Sequence, residues 1–242
     1  MFKTMKKFIK RLLILILLLF ISFSSFTYLK AYNMYKNLTD NLSVEKAVKK
    51  YSYSEYLKYE DIDKDFINAV ISVEDKRFFD RKGYDFIALI RAIHNNITLR
   101  GFVEGASTIS EQIAKNLYFK AYPRNLEEKI CEILIMYELE EKFSKEDLFT
   151  LYTNMNYYGD GYWGLRKAAR GYYGKDADDL SLAQAAMLAG IPNAPSAYQL
   201  SSGFDLAKNR QEKVLLTMFN NGYINEEERN LAILEDVKPI RK

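Results

Sequence analysis

The chain has 242 residues, of which 48% are hydrophobic and 28% are charged, a composition typical of a globular protein rather than a disordered one. The formal net charge is +3, but five cations precede residue 12 and leave the remainder slightly acidic, without the basic footprint of a general nucleic-acid binder. One cysteine, Cys131, and one histidine, His94, exclude an intramolecular disulfide and a Cys/His zinc cluster. Chemistry is therefore left mainly to carboxylates, lysine, arginine and tyrosine.

The first predicted element is an apolar helix at residues 12–29. No charge lies between Arg11 and Lys30, and these 18 residues are close to the lower limit for a membrane-spanning helix. The cations on the N-terminal side predict a cytoplasmic tail at 1–11 and an extracytoplasmic remainder. A cleaved signal peptide is the alternative, but no small-x-small site follows the apolar stretch, which favours a retained anchor.

The next segment, residues 30–60, is polar and rich in lysine and tyrosine. It predicts a stalk or a membrane-proximal helical segment before a main domain at 61–242. Within it, "SVEK" at 43–46 matches the S-x-x-K of penicillin-binding transpeptidases. The KTG and SDN motifs are absent and the chain has no room for that domain, so Ser43 is interpreted as a helix cap.

From residue 61 onward the apolar residues follow helical spacing. One pattern runs from Ile62 to Val73 and ends at Glu74, and a second covers residues 86–93. Further helices are predicted, in chain order, from "STISEQIAKNLYF", "LEEKICEILIMYELEEKF", "SKEDLFTLYTNMNYY", "SLAQAAMLAGIPNAPSAY" and the stretches 204–220 and 225–234. Because no run of alternating β-branched residues occurs, the sequence predicts one mainly α domain.

Three polar clusters have both a catalytic and a structural interpretation. Glu74, at the end of an apolar pattern with cations around it, suits a general base or a salt-bridged surface glutamate. Ser107 and Thr108 open a helix whose free amides favour anions, but they also suit simple capping. Lys129 and Glu132 lie near the seam of an amphipathic helix, where ordinary charge pairing is the alternative.

Taken together and in order, these stretches resemble the peptidoglycan glycosyltransferases, glycosyltransferase family 51. The likeness extends to the monofunctional membrane-anchored enzymes and to the transferase half of class A penicillin-binding proteins, and it covers about residues 61–200. The matching stretches are "EDKRFFDRKGYD", "GASTISEQIAKN", "EKICEILIMYELEEKFSK", "YTNMNYYGDGYWGLRKAARGYYGK" and "LSLAQAAMLAGIPNAPSAY".

The resemblance implies a mainly α, lysozyme-like glycosyltransferase domain with an N-terminal transmembrane helix. It implies that the protein polymerises lipid II into glycan strands by inverting β-1,4 glycosyl transfer and releases undecaprenyl pyrophosphate. The implied location is the cell membrane, with a single span, a cytoplasmic N-terminus and an extracytoplasmic catalytic domain. A lytic or lysozyme-type muramidase and a weakly active or non-catalytic lipid II-binding scaffold are the alternatives.

The resemblance also implies roles for individual residues. Glu74 matches the general base, and Glu132 matches a second glutamate near the leaving pyrophosphate. The implied substrate contacts are Asp75, Arg91, Ser107, Thr108, Gln112, Lys115, Arg124 and Lys129. Among these, Lys115, Arg124 and Lys129 would neutralise charge that develops on the leaving group.

The implied partners are lipid II, the growing glycan chain and the bacterial membrane, with separate transpeptidases and cell-wall assembly proteins as further candidates and no nucleic acid. No cofactor is obligatory, although stimulation by a divalent cation such as magnesium or manganese near Glu132 is compatible with the resemblance. The chain departs from the family pattern at Arg81, where a histidine is usual, and at Glu111, where a glutamine is usual. Arg81 is expected to place a permanent cation close to Glu74.

Overall fold

The structure is a computed structural model of the chain, and its helices follow the predicted order closely. It describes residues 2–51, 55–85, 87, 90, 98, 107–119 and 125–240. The second apolar pattern, at 86–93, and His94 therefore lie outside the described residues except for single positions. The helices of the N-terminal half are α1 (Phe2–Asn41), α2 (Val44–Lys49), α3 (Lys64–Glu74), α4 (Ile109–Tyr118), α5 (Leu126–Lys142) and α6 (Lys145–Met155).

The C-terminal half is also helical. Its helices are α7 (Leu165–Tyr173), α8 (Leu182–Gly190), α9 (Pro195–Tyr198), α10 (Phe204–Asn220) and α11 (Glu226–Leu234), with short 3-10 helices at Tyr59–Asp61 and Ile191–Asn193. In the described part of the chain, β pairing is limited to an isolated antiparallel bridge between Tyr157 and Trp163. The prediction of a mainly α fold is confirmed.

Several helices start at a side-chain cap, including those predicted at Ser43, at the Ser/Thr start of "STISEQ" and at Ser144. Ser43 accepts the amide hydrogen of Lys46, Thr108 caps α4 and Ser144 caps α6. Asp63 caps α3 by accepting from the amides of Asp65 and Phe66. These local bonds satisfy amide groups that the first turn of a helix leaves without partners, so the starts of these four helices are specified by their own sequence.

The core is built around α8, whose small residues allow neighbouring helices to approach closely. Ala183, Ala185, Ala186 and Ala189 are each buried, and α3 and α10 pack against this helix. On the other side of the domain, α4 packs against α5 and α6. The end of α3 and the start of α4 thereby come together with α10, and this meeting point holds the polar clusters.

Helix α1 is long and continuous, and its two parts have different surroundings. The stretch Met5–Asn41 has a mean hydropathy of 2.5 in its most apolar window, only 6% of which is buried. Within the described residues it is the one helix that is long and apolar enough to cross a membrane. Farther along, Thr27 and Ala31 are buried, and the Tyr35 hydroxyl donates to Glu138 of α5 at 2.7 Å.

Part of the predicted stalk belongs to the same core. Val44 and Leu57 are fully buried, and the backbone of Leu57 exchanges two hydrogen bonds with the side-chain amide of Asn154 at 2.8 and 3.0 Å. Residues 30–41 complete α1 rather than forming a separate element. The predicted division at 60/61 stays a prediction, but the hydrophobic core begins upstream of it.

Candidate active site

Glu74 is the last residue of α3, and its carboxylate is held by two donors from other helices. Gln112 of α4 donates from Nε2 to Oε2 at 2.8 Å, and Arg210 of α10 donates from Nη2 to Oε1 at 3.4 Å. The Glu74 side chain is 14% exposed. This carboxylate is therefore fixed in orientation but still open to an incoming group.

Arg210 reaches Glu74 because α8 presents no side chain where the two helices meet. A Cβ on Gly190 would lie 2.8 Å from Cγ of Arg210, so glycine leaves the space that the arginine stem occupies. Sequence reasoning missed Arg210, which lies 136 residues from Glu74 in a helix that carried no predicted function. No local signal could have found it.

A second polar cluster joins α4 to α5 through Lys129. Its ammonium donates to Oε1 of Glu111 at 2.6 Å and to Oε1 of Glu132 at 2.7 Å. Both glutamates are buried, whereas about a third of the Lys129 side chain is exposed. The structure thus brings together two predicted site residues, Lys129 and Glu132, and adds Glu111, which the sequence marked only as a departure.

The first turn of α4 connects the two clusters. Glu111 and Gln112 are consecutive residues, and one side chain contacts Lys129 while the other contacts Glu74. Thr108 is buried at the cap, where its hydroxyl oxygen accepts from the amide of Glu111 at 3.2 Å. Ser107 is exposed next to this cap. Since both carboxylate clusters depend on one helical turn, their relative placement is fixed by α4.

Asp75 is directed away from Glu74 into a buried ionic network. It pairs with Arg81, and its Oδ2 accepts from the backbone amide of Ile109, the first residue of α4, at 3.2 Å. Burial raises the pKa of the Asp75 carboxyl, although the hydrogen bond and charge of Arg81 act in the opposite direction. Among the described contacts, Arg210 rather than Arg81 is the cation on Glu74.

Arg81 also connects the loop after α3 with α5. It contacts Glu140 at 3.3 Å and the backbone oxygen of Gly83, while the amide of Gly83 donates to Glu140 at 2.6 Å. Burial alone would raise the pKa of Glu140, but hydrogen bonds from Lys145, Ser110 and the Gly83 amide outweigh it and lower the pKa. This network holds the loop in place without touching Glu74.

A buried phenol lies near enough to Glu74 for their charges to interact. Tyr152 of α6 is buried, and its burial, with the nearby charge of Glu74, raises the pKa of its hydroxyl well above 10. Nearby, Asn116 donates from Nδ2 to Oδ1 of Asn156 at 3.3 Å, which joins α4 to the end of α6. The site is therefore backed by uncharged polar groups.

Of the remaining predicted site residues, one lies on a described helix and two lie outside the described part of the chain. Lys115 lies on α4, four residues beyond Glu111, whereas Arg91 and Arg124 lie outside the described residues. Near Glu132 the Lys129 ammonium lies between the two carboxylates, and a divalent cation at this place stays a prediction. In the described part of the chain, no group of three or more His, Cys, Asp or Glu side chains has metal-binding geometry.

Comparison with known protein families shows the class to which this helical chain belongs. The family described as Transglycosylase matches residues 40–219. This chain belongs to the transglycosylase family. The match begins upstream of the predicted domain start at 61, in agreement with the buried positions of Val44 and Leu57.

Individual relatives agree with this assignment. Penicillin-binding protein 1A of Neisseria flavescens is 40% identical over 183 residues, which are 76% of this chain and 23% of that protein. Penicillin-binding protein 1A of Streptococcus oralis is 39% identical over 175 residues, which are 72% and 28% of the two chains. The chain thus spans about a quarter of the length of these relatives.

A solved structure gives a weaker match. Penicillin-binding protein 1A from Haemophilus influenzae aligns with a TM-score of 0.39 and 24% identity over 57% of this chain and 18% of that one. A likeness at this level supports no conclusion about fold or function.

Proposed function

We propose that the protein polymerises lipid II into peptidoglycan glycan strands. The observation that carries the proposal is the Glu74 carboxylate, held by Gln112 and Arg210 beside the Glu111–Lys129–Glu132 cluster in a chain of the transglycosylase family. The substrate is a disaccharide-peptide on undecaprenyl pyrophosphate, and the reaction is inverting β-1,4 glycosyl transfer.

Glu74 is the general base of this reaction. It takes the proton of the acceptor's 4-hydroxyl while that oxygen attacks the anomeric carbon at the reducing end of the donor chain. The bond from this carbon to the pyrophosphate breaks, and undecaprenyl pyrophosphate leaves with its electron pair. Gln112 and Arg210 orient the carboxylate, and a base needs such a fixed position within hydrogen-bond reach of the proton it removes.

The second cluster serves the leaving group. Lys129 is partly exposed and presents its ammonium next to Glu132, with Lys115 on the neighbouring helix and Arg124 as a further cation. A pyrophosphate leaves as an anion and needs positive charge rather than a proton, so one carboxyl base is sufficient, unlike in a glycosidase. Arg91 and Ser107 complete the proposed substrate contacts.

Asp75 and Thr108 act within this proposal mainly by holding the site together. Both are buried, and both are bonded to the start of α4. No metal is obligatory, because Lys129 already supplies positive charge between Glu111 and Glu132. We expect activity to persist in excess EDTA, with magnesium or manganese giving stimulation at most.

The apolar helix and the family membership indicate a membrane-anchored protein. We place its N-terminus in the cytoplasm and the catalytic domain outside, since the cations precede the apolar stretch. The anchor keeps the enzyme beside a substrate that itself lies in the bilayer. Separate transpeptidases and cell-wall assembly proteins are the proposed partners after polymerisation.

The deciding experiment supplies purified lipid II to the detergent-solubilised protein and finished cell wall to a parallel sample. Long glycan from lipid II is expected. Soluble muropeptides released from the wall, with no polymer from lipid II, would instead identify a lytic muramidase.

Glu74→Gln tests the base within the same assay. We expect a loss of at least about 10²-fold in rate, the scale for removing a general base. The same assay with Glu132→Gln shows whether the second cluster is also needed. If wild type and Glu74→Gln polymerise equally little while lipid II still binds, the chain is a non-catalytic scaffold.

A further inference from the structure

Glu111 is a buried carboxylate that serves two donors at once. Its Oε2 accepts from the backbone amide of Thr108 at 2.8 Å, and its Oε1 accepts from the Lys129 ammonium at 2.6 Å. Its exposure is 0%. A buried charge is costly unless it is paired and hydrogen-bonded, and these two contacts supply the pairing and the hydrogen bond.

The two donors reach different oxygens of the carboxylate. A glutamine in the same position would turn its NH2 group towards either the Thr108 amide or Lys129, and that contact would be lost. Glu111 therefore attaches the ammonium of α5 to the first turn of α4, and Lys129 cannot move without breaking that bond. The bond adds to the one that Lys129 makes within its own helix to Glu132.

The same bond changes the charge that an incoming anion meets. Lys129 and Glu132 alone form a neutral pair, whereas Glu111, Lys129 and Glu132 together carry one net negative charge. About a third of the Lys129 side chain is exposed, so an anion can reach it, but two of its three hydrogens are already donated. The negative charge of Glu111 next to the ammonium repels an incoming anion and so disfavours its binding.

We propose that Glu111 is a positioning residue that fixes the Lys129 ammonium and weakens its affinity for the pyrophosphate of the glycosyl donor. This inference rests on the proposed function, because it assigns the leaving group to Lys129. The consequence is a site that holds the donor and the released lipid pyrophosphate less tightly than a neutral pair would.

The test measures binding of inorganic pyrophosphate to the full-length protein in detergent by isothermal titration calorimetry. Glu111→Gln is expected to bind pyrophosphate about 5-fold tighter than wild type. The substitution removes one negative charge that repels the anion next to a partly buried cation. Glu111→Asp keeps the charge and is expected to bind as weakly as wild type. In lipid II kinetics the KM of Glu111→Gln falls while its kcat does not rise.

Glu128→Gln is the matched control. Glu128 holds the same capping-box position on α5 that Glu111 holds on α4, accepting from the amide of Asn125 at 3.3 Å. The substitution removes the same charge from the same capping position of the neighbouring helix, where the side chain is only partly buried and has no contact with Lys129 in the described bonds. It should leave pyrophosphate affinity unchanged.

Three results would overturn the inference: no gain in Glu111→Gln, an equal gain in Glu128→Gln, or no pyrophosphate binding by any of the proteins. Circular dichroism melts show whether each variant is folded before its affinity is compared. Tighter binding by Glu111→Gln without polymerisation by any protein would remove the proposed function and the glycosyl donor, and would leave only the effect of Glu111 on pyrophosphate binding at Lys129.

Discussion

At the scale of single residues, Arg81 and Arg210 bind different carboxylates. Arg81 lies within the motif but pairs with Asp75 and Glu140, whereas Arg210 lies far along the chain and contacts Glu74. A cation does contact Glu74, but it is Arg210 of α10 rather than the expected Arg81. The position of Arg81 in the motif therefore did not predict which carboxylate it binds.

Arg210→Gln is expected to lower kcat for lipid II polymerisation about 10-fold with little change in KM, because the orienting contact to Glu74 is lost while the leaving-group cations remain. Arg210→Lys should recover part of the rate. Initial-rate kinetics on labelled lipid II give both constants.

Arg166→Gln provides the comparison for Arg210. Arg166 is 20% exposed against 17% for Arg210, and it is paired with Asp61 and Asp176. Equal losses of kcat in the two variants would show that the effect is structural and that the contact to Glu74 does not matter for rate.

At the scale of elements, the loop after α3 is attached to α4 and α5 by buried ion pairs. Asp75 accepts from the first amide of α4, Arg81 pairs with both Asp75 and Glu140, and Lys145 of α6 pairs with Glu140 at 2.7 Å. The network thus joins four elements that surround the site. Its contribution is to their relative position, since none of its described contacts is with Glu74.

Arg81→Ala is expected to lower the free energy of unfolding by about 3 kcal/mol, because it leaves Asp75 without its buried counter-charge. For a domain of this size the corresponding fall in Tm is about 10 °C. Thermal melts followed by circular dichroism in detergent measure it.

Arg170→Ala is the control for that loss. Arg170 is half exposed and pairs with Asp176 and Glu55 at the surface, where screening by water makes ion pairs weak. A Tm change in Arg170→Ala as large as that in Arg81→Ala would contradict a special contribution from the buried network.

At the scale of the whole molecule, α1 connects the apolar stretch directly to the domain. The helix is unbroken from Phe2 to Asn41, and its final turns pack on α5, the helix that carries Lys129 and Glu132. Tyr35 and Glu138 form a hydrogen bond at this contact. The anchor and the candidate site are therefore joined through two packed helices rather than through a loose linker.

A chain that begins at residue 27 is expected to fold as the full chain does, since it keeps the buried Thr27 and Ala31 and the hydrogen bond from Tyr35 to α5. It should no longer float with phospholipid vesicles, because most of the apolar stretch is gone. Vesicle flotation and circular dichroism test the two statements. Flotation of the shortened chain equal to that of the full chain would show a second membrane-binding surface.

Local interactions explain how much of the fold was predictable. The helices at 204–220 and near 225–234, the caps Ser43 and Ser144, and the small-residue helix that ends before Pro192 all depend on residues within a few positions of one another. The boundary of the membrane-proximal segment was harder, because Leu57 is placed in the core by Asn154, a residue 97 positions away.

The sequence by itself determined the mainly α class and the apolar helix, and it predicted Glu74 and Glu132 as candidate site residues, since spacing and motif order are written along the chain. Only the tertiary structure decided which charges meet. Arg210 reaches Glu74 across 136 residues, Glu140 reaches Arg81 across 59, and Lys129 reaches Glu111 across 18. The physical reason is that a side-chain ion pair acts over a few ångströms, so it forms only where helix packing brings its two partners together.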